Sequence, residues 1–390
     1  MAQTAPLIYK MRIKNPNERG TPSANKQYIK YIAERDHVLK KDASMQNGLF
    51  GKIDGVYSTN MKTEDVQKKV YDLSRKGVTM YKAYISFKDF TAKHLELNNF
   101  EDWERYVKYH LDTLMRGYGI PADRFEYTAA IHKKWGQPHI HLVFWDKQQG
   151  VTVNFVKKGV SDDIRRKLIH NTFKNELAFY YDRSSTAFAD VKTNINKLIN
   201  EMQGISDNEI PEEVISDLAK TYNDILNDLP KSGRLAYAFM PKEIKDRIGA
   251  FIREISDKLP EVKSLISEYY LGNRLAAQMF DSSDTEEGKR NIDKKIRKAT
   301  ADLYNRLGNQ IIKSMAKIRK EMQKQTQEEK QTETDTAGTV LSLVSAITRM
   351  MKDSNSHLPK GEGNTVGSHD LSASALKDLI AKKKDKGHEA

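Results

Sequence analysis

The chain has 390 residues, 38% hydrophobic and 30% charged, and its 65 Lys and Arg against 53 Asp and Glu leave a formal charge of +12. A mean hydropathy of −0.70 and a pI near 9.3 exclude an integral membrane protein and favour a polyanionic partner, nucleic acid before anionic lipid. The absence of cysteine excludes disulfides, thiolate zinc modules and thiol nucleophiles. The start, MAQTAPLIYKMRIK, has no apolar core of the signal-peptide kind, and the longest apolar-leaning stretch, Val340 to Ile347, is too short to span a bilayer. A soluble, cytoplasmic chain without membrane insertion is expected.

In chain order, Pro6 to Lys14 alternates, with Leu7, Tyr9, Met11 and Ile13 on one face, and predicts a strand. Clustered turn residues make Lys14 to Lys26 a loop, and a helix is predicted from Ala24 to Lys41 with Ser23 as N-cap. Met80 to Phe87, β-branched and aromatic, predicts a second strand. Asn99 caps a helix to Met115 on the spacing of Phe100, Trp103, Val107, Leu111 and Leu114; Gly117, Gly119 and Pro121 end it. Phe125 to His132, the turn KKWGQ and Pro138 to Trp145 predict a hairpin.

After Gly159 the pattern becomes helical. Ser161 opens a helix through Ile164, Leu168, Phe173 and Leu177, and further helices are predicted over Ala189 to Met202, Glu212 to Asn227, Pro241 to Asp257 and Asn291 to Lys324. Gln325 to Thr339 reads as a flexible polar linker. Leu341 to Met351 fits a short amphipathic helix, Ser354 to His369 is rich in Gly, Ser and Asn, and Ala373 to Lys386 ends in a Lys-rich helix or disordered tail. The expected fold is α+β: an antiparallel sheet domain flanked by helices over 1–158, an α-helical domain over 159–324, and a linker with a basic tail over 325–390.

Three of the ten histidines fall in one window of ten residues, His132, His139 and His141. In a strand, residues i and i+2 share a face, so His139 and His141 point together and Ile140 points away. Across the hairpin, His132 reaches the same spot. Ile140, Leu142 and Phe144, matched by Phe125, Tyr127, Ala129 and Ile131, form an apolar face, while Thr128 and Ala130 leave room above the imidazoles. Three rings converging from one side make an open metal site with positions left for water or substrate. An inert pair of surface histidines is the bland alternative, and His-hydrophobic-His strands serve other metal chemistries too.

The segment IHKKWGQPHIHLVFWDK (Ile131 to Lys147) resembles the metal-binding motif of the HUH endonucleases in the form used by conjugative relaxases. QYIKYIAERD (Gln27 to Asp36) resembles the relaxase motif that carries the nucleophilic tyrosine. GLFGKIDG (Gly48 to Gly55), YISF (Tyr84 to Phe87) and the helix before GYGIPADRFEYTAAIH are similar to the MobL-type relaxases of mobile elements in Gram-positive bacteria. Ser232 to Asp246 resembles that family's downstream region. The resemblance implies a central antiparallel sheet flanked by helices and strand-specific nicking at an origin of transfer. A tyrosine hydroxyl would attack the phosphodiester, leaving a 5′-phosphotyrosine adduct and a free 3′-hydroxyl, for plasmid or integrative-element mobilisation. It also implies Mg²⁺ or Mn²⁺ on His132, His139 and His141, although three imidazoles suit Mn²⁺ or later transition metals better than Mg²⁺. Lys134 stands where relaxases often carry an acid, which leaves Glu126, on the histidine face, as the candidate carboxylate partner.

Two tyrosines on the N-terminal helix compete as nucleophile. At about 100° per residue from Tyr28, Ile32 falls at about 40°, Leu39 at about 20° and Ile29 at about 100°, so Tyr28 sits mid-arc among apolar residues. Tyr31, at about 300°, borders the polar side and aligns better with the motif; it is preferred, with Tyr28 as the alternative. Arg35, one turn beyond Tyr31, can stabilise a tyrosinate or hold a phosphate, or equally pair with Glu34 or Asp36. A phenol with a pKa near ~10 needs such a cation at neutral pH.

Lys133, Lys134 and Trp135 join the histidine strands and suit backbone neutralisation and base stacking on single-stranded DNA. Lys157 and Lys158 add charge just beyond. Expected partners are a single-stranded origin of transfer, a secretion coupling protein and relaxosome accessory proteins. The alternatives are a rolling-circle replication initiator or single-strand transposase of the same chemistry, and, in another class, a non-catalytic DNA-binding accessory protein.

Overall fold

A computed structural model describes residues 6–134, 136–205 and 209–332; Trp135 and the predictions beyond 332 lie outside them. The elements in order are β1 (Leu7–Arg12), α1 (Thr21–Glu34), β2 (Phe50–Ile53), β3 (Val56–Ser58), α2 (Thr63–Arg75), β4 (Tyr81–Phe87), α3 (Asp89–His94), α4 (Phe100–Tyr118), β5 (Phe125–His132) and β6 (His139–Asp146). Helices α5 (Val160–Thr172), α6 (Lys174–Met202), α7 (Glu212–Asp228), α8 (Lys242–Lys258), α9 (Pro260–Phe280) and α10 (Glu286–Thr332) follow. The class is α+β, with an antiparallel sheet first and helices after it. No helix among the described residues is long and apolar enough to cross a membrane.

The six strands run in the order β1-β4-β6-β5-β2-β3, every neighbouring pair antiparallel. Alternation then gives the sheet two characters. One face presents Tyr81, Ala83, Ile85, Phe87, Tyr127, Ile131, Ile140, Leu142 and Phe144 to α4 and α5. On the other face the register sets three rows across four strands: Ile8, Ser86, His139 and His132; Lys10, Tyr84, His141 and Ala130; Arg12, Lys82, Val143 and Thr128. Helices α1 and α2 cover the β6–β5 part of this face through Ile29, Ile32, Ala33, Val66 and Val70 on Ala130, Val143 and Trp145. The β1 part is left open, with Ile8, Lys10 and Arg12 exposed.

Local rules account for the boundaries. Helix α4 opens on a capping box, Asn99 Oδ1 accepting from the Asp102 N–H at 3.0 Å while Asp102 accepts from the Asn99 N–H. It closes on Gly119 in the left-handed region (φ 66, ψ 29). Between β2 and β5 only a glycine fits at position 51, because a Cβ there would fall on the Tyr127 carbonyl oxygen.

Helix α1 differs from expectation at both ends. It starts at Thr21 with Pro22 in the first turn, where a missing N–H costs nothing, so Ser23 is inside the helix rather than its cap. It stops at Glu34 rather than Lys41. Arg35 turns extended, His37 adopts φ 68, and residues 37–39 pair with the end of β5 through Leu39 N–H to Ile131 O (2.7 Å) and Lys133 N–H to His37 O (2.9 Å). Strand pairing thus outcompetes further helix, and Leu39 leaves the apolar arc assigned to it.

In the helical region, Phe173 (φ −114, ψ 36) separates α5 from a single 29-residue α6. Helix α9, which the periodicity did not single out, packs on α6 where Gly272 lies against Ser184 and the Tyr180 carbonyl. Helix α10 continues to Thr332, so helix takes the first part of the expected linker. A second apolar core links α6 to α10 through Val191, Ile195, Leu218, Ile225, Ile248, Phe251, Leu307 and Ile311. The first core itself extends into α5, α6 and α9 through Leu168, Leu177 and Met279.

Candidate metal centre

His132 ends β5, His139 and His141 open β6, and their pairing brings the three rings together at centroid separations of 5.2, 4.8 and 5.0 Å. One ring nitrogen of each lies within 4.8 Å of the other two. All three residues are buried, with 2%, 6% and 7% of their surface exposed.

The second nitrogen of each ring is occupied. His132 Nε2 donates to the Ile32 carbonyl at 2.9 Å and His139 Nδ1 to the Gln137 carbonyl at 2.8 Å. These bonds fix the tautomers and leave the lone pairs of His132 Nδ1 and His139 Nε2 free. His141 Nδ1 lies 2.9 Å from the Tyr28 hydroxyl, and His141 Nε2 is buried with no hydrogen-bond partner. A buried acceptor without a partner, set between two other free lone pairs, is an arrangement that a cation satisfies. The donor set of three neutral nitrogens fits a divalent metal ion.

Electrostatics keep the site ready. Burial lowers the pKa of His132, against the opposing Ile32 carbonyl, and of His139, against that of Gln137. His141 is pushed down to about 3, by burial first and then by its two neighbours and Arg35. Neutral imidazoles at physiological pH bind a metal without first losing a proton.

Both tyrosines of α1 lie against His141. Their rings stack on each other at 5.9 Å, and each meets the His141 ring edge-on at 5.9 Å. They are otherwise unlike. Tyr28 is partly buried, its hydroxyl committed to His141 and its pKa raised to about 12 by burial. Tyr31 is 42% exposed, with the Arg35 guanidinium 4.9 Å from its ring centre. Glu34 pairs with Lys30, and the expected alternative pairing of Arg35 with an acid is not among the described contacts.

Glu126 does not serve the histidines. Its two oxygens accept from the Asp54 N–H (2.8 Å) and the Trp145 indole (3.0 Å), and it sits six residues, about 20 Å of strand, from His132. The orienting role falls to two backbone carbonyls and a phenol, groups no sequence motif for a carboxylate would find. Lys133 and Lys134 are exposed directly after His132, Lys133 Nζ bonding to the Asn98 carbonyl, and Lys134 helps depress His139. Lys157 lines a cleft with Tyr81 and Tyr118, on the face opposite the histidines, and Lys158 follows it.

Sequence reasoning missed Tyr84, whose ring lies 4.9 Å from His139 and 5.4 Å from His141, and Lys82, whose ammonium is 4.7 Å from the Tyr28 ring. Their signal was the alternation of β4, which puts Lys82, Tyr84 and Ser86 opposite Ala83, Ile85 and Phe87. It carries meaning only once β4 is known to pair with β6.

Neither the curated proteins nor the solved structures gave a match to this chain. The family profile of MobL relaxases matches residues 6–359, nearly the whole length of a chain whose sheet histidines lie against the tyrosines of α1. The chain therefore belongs to the MobL relaxases and is a DNA-binding, DNA-nicking protein.

Proposed function

We propose that the protein nicks one DNA strand at an origin of transfer by attack of Tyr31 on a phosphodiester, for mobilisation of a plasmid or integrative element. The observation that carries this reading is an exposed phenol set edge-on to one of three clustered, buried, neutral imidazoles. In the step, the Tyr31 oxygen forms a bond to phosphorus and the bond from phosphorus to the 3′ oxygen breaks. The phenol loses its proton and the 3′ oxygen gains one, so the exchange is balanced and reversible. His132, His139 and His141 would hold a divalent ion, which would supply positive charge against the charge that builds on the phosphate. Arg35 stabilises the Tyr31 phenolate from beside the ring. Tyr28 holds His141 by accepting its Nδ1–H, which suits a positioning group better than a nucleophile. Lys133 and Lys134 neutralise the backbone near the scissile phosphate, and delivery to a secretion coupling protein would follow nicking in the cytoplasm.

The test is a labelled single-stranded origin oligonucleotide incubated with protein and Mn²⁺, resolved on a denaturing gel. Wild type should form a covalent adduct that maps to the peptide containing Tyr31, and Tyr31→Phe should form none while binding DNA nearly as well. An adduct of normal yield in Tyr31→Phe transfers the role to Tyr28. Binding without any adduct in the wild type leaves a non-catalytic DNA-binding protein.

A further inference from the structure

The histidine face of the sheet is covered unevenly. Helices α1 and α2 close over β5 and β6, Lys82 and Tyr84 of β4 are half-buried beside α1, and Ile8, Lys10 and Arg12 of β1 are exposed. The β1–β4 part is strongly cationic. Lys10, Arg12 and Lys82 occupy the two rows that lead to His141 and Val143, and Lys14 is near enough to Lys82 to lower its ammonium pKa, after burial, to about 8. None of the four makes an ion pair among the described residues. Several other cations around the sheet do have acids: Lys69 has Asp54, Lys108 has Glu104, Arg116 has Asp112 and Arg124 has Asp146. Four like charges kept together without a carboxylate, one of them partly buried, repel one another unless an anion joins them.

Apolar surface runs alongside. Tyr84 is half-buried between Lys10 and His141, and Ile8, 44% exposed, stands next to Lys10 on the same face of β1. Cations that follow a backbone, alternating with a ring and an aliphatic side chain that bases can lie on, match a single strand with its bases unstacked. A duplex would hide those bases, and a lipid surface would need no path. Strand spacing sets the scale: β4 is about 4.8 Å and β1 about 9.6 Å from the histidines of β6.

We propose that the exposed β1 edge, with the half-buried Lys82 and Tyr84 of β4 behind it, is the track for single-stranded DNA beside the scissile phosphate, with Arg12, Lys14 and Lys82 holding its phosphates and Tyr84 and Ile8 meeting its bases. This deepens the nicking reading and rests on it for the identity of the strand, but binding along the face requires neither Tyr31 nor a metal. The track ends where Lys82 meets the Tyr28 ring, so a chain laid along it is delivered to the α1 tyrosines.

The experiment is fluorescence anisotropy of a labelled oligothymidylate with the full chain in EDTA, titrated at several salt concentrations. Removing one phosphate-binding cation should lower the slope of log K against log salt by about 0.7, so Arg12→Gln with Lys82→Gln should lower it by about 1.4 and weaken binding near 0.15 M salt roughly tenfold. Lys82→Arg should keep the wild-type slope, and Lys231→Gln, in the helical region, should change nothing. Because Lys82 is partly buried, the exposed Arg12→Gln alone provides the version that cannot fail through misfolding. Wild-type slope and affinity in Arg12→Gln and in the double variant would overturn the track, as would tighter, Lys82-dependent binding to phosphatidylserine vesicles than to the oligonucleotide. A wild type that nicks while these variants bind normally leaves the nicking reading standing and removes only the track. Lowered slopes in a protein that forms no adduct do the reverse.

Discussion

On one face of the sheet Ile131, Ile140, Leu142 and Phe144 are sealed under α4 and α5; one residue along each strand, His132, His139 and His141 are almost as deeply buried but polar. The backbone and the pairing are shared, so the difference lies in the side chains and what covers them. The apolar face gains stability from area removed from water. The histidine face holds rings whose charged forms burial disfavours, and one nitrogen, His141 Nε2, that no described group of the chain satisfies. Burial without satisfaction is a cost in folding, and it marks the face that chemistry has shaped.

Neighbouring substitutions break this comparison most directly. His141→Ala should lower Mn²⁺ affinity more than about 100-fold, beyond the effect of losing an orienting partner, while Leu142→Ala should leave affinity nearly intact and cost about 2–5 kcal/mol of stability. Calorimetric metal titration and urea unfolding in EDTA measure the two effects. Equal stability losses at 141 and 142 with no difference in metal affinity would erase the distinction between the faces.

A smaller effect sharpens it. Tyr28→Phe removes only the oxygen that accepts from His141 Nδ1, so metal affinity should fall about tenfold, and leaving a buried N–H unpaired should cost about 1–3 kcal/mol of stability. Tyr31→Phe should leave that affinity unchanged. If both variants bind Mn²⁺ like the wild type, Tyr28 does not orient His141.

The smallest effect is the pH dependence of the metal-free protein. The three site histidines and His110, pushed down to about 4 by burial in α4, all have folded pKa values below the ordinary value of 6.5. Below that value the unfolded chain binds protons that the folded chain does not, so their contribution to stability is intact above about pH 6.5 and is lost progressively as pH falls toward the folded values. Urea midpoints in EDTA should fall between pH 7.5 and pH 5, and His141→Ala should flatten the fall. A steeper fall in that variant would contradict the burial of a neutral ring.

Much of the site could be read from spacing alone. The i, i+2 rule put His139 and His141 on one face, and the short connection brought His132 to them, because side-chain direction in a strand is a local property. The same rule separated the apolar residues of β5 and β6. On α1, helical arithmetic placed Tyr28 inward and Tyr31 at the border, as their burial shows. Its end was missed because residues 37–39 are held by strand partners almost a hundred positions away. Strands β2 and β3, four and three residues long, are too short for a periodic signal, and α9 buries small residues, Gly272, Ala276 and Ala277, that weaken its apolar period.

The sequence by itself determined the sheet-then-helix order, the shared face of the histidines and the unequal exposure of the two tyrosines, since each follows from a repeat of two or 3.6 residues along one element. Only the tertiary structure decided that Tyr28 would hold His141, that backbone carbonyls rather than Glu126 would orient the other rings, and that Lys82 and Tyr84 would border the site. Those contacts depend on which strand lies beside which and on where a helix crosses the sheet, and long-range pairing of that kind leaves no period along the chain.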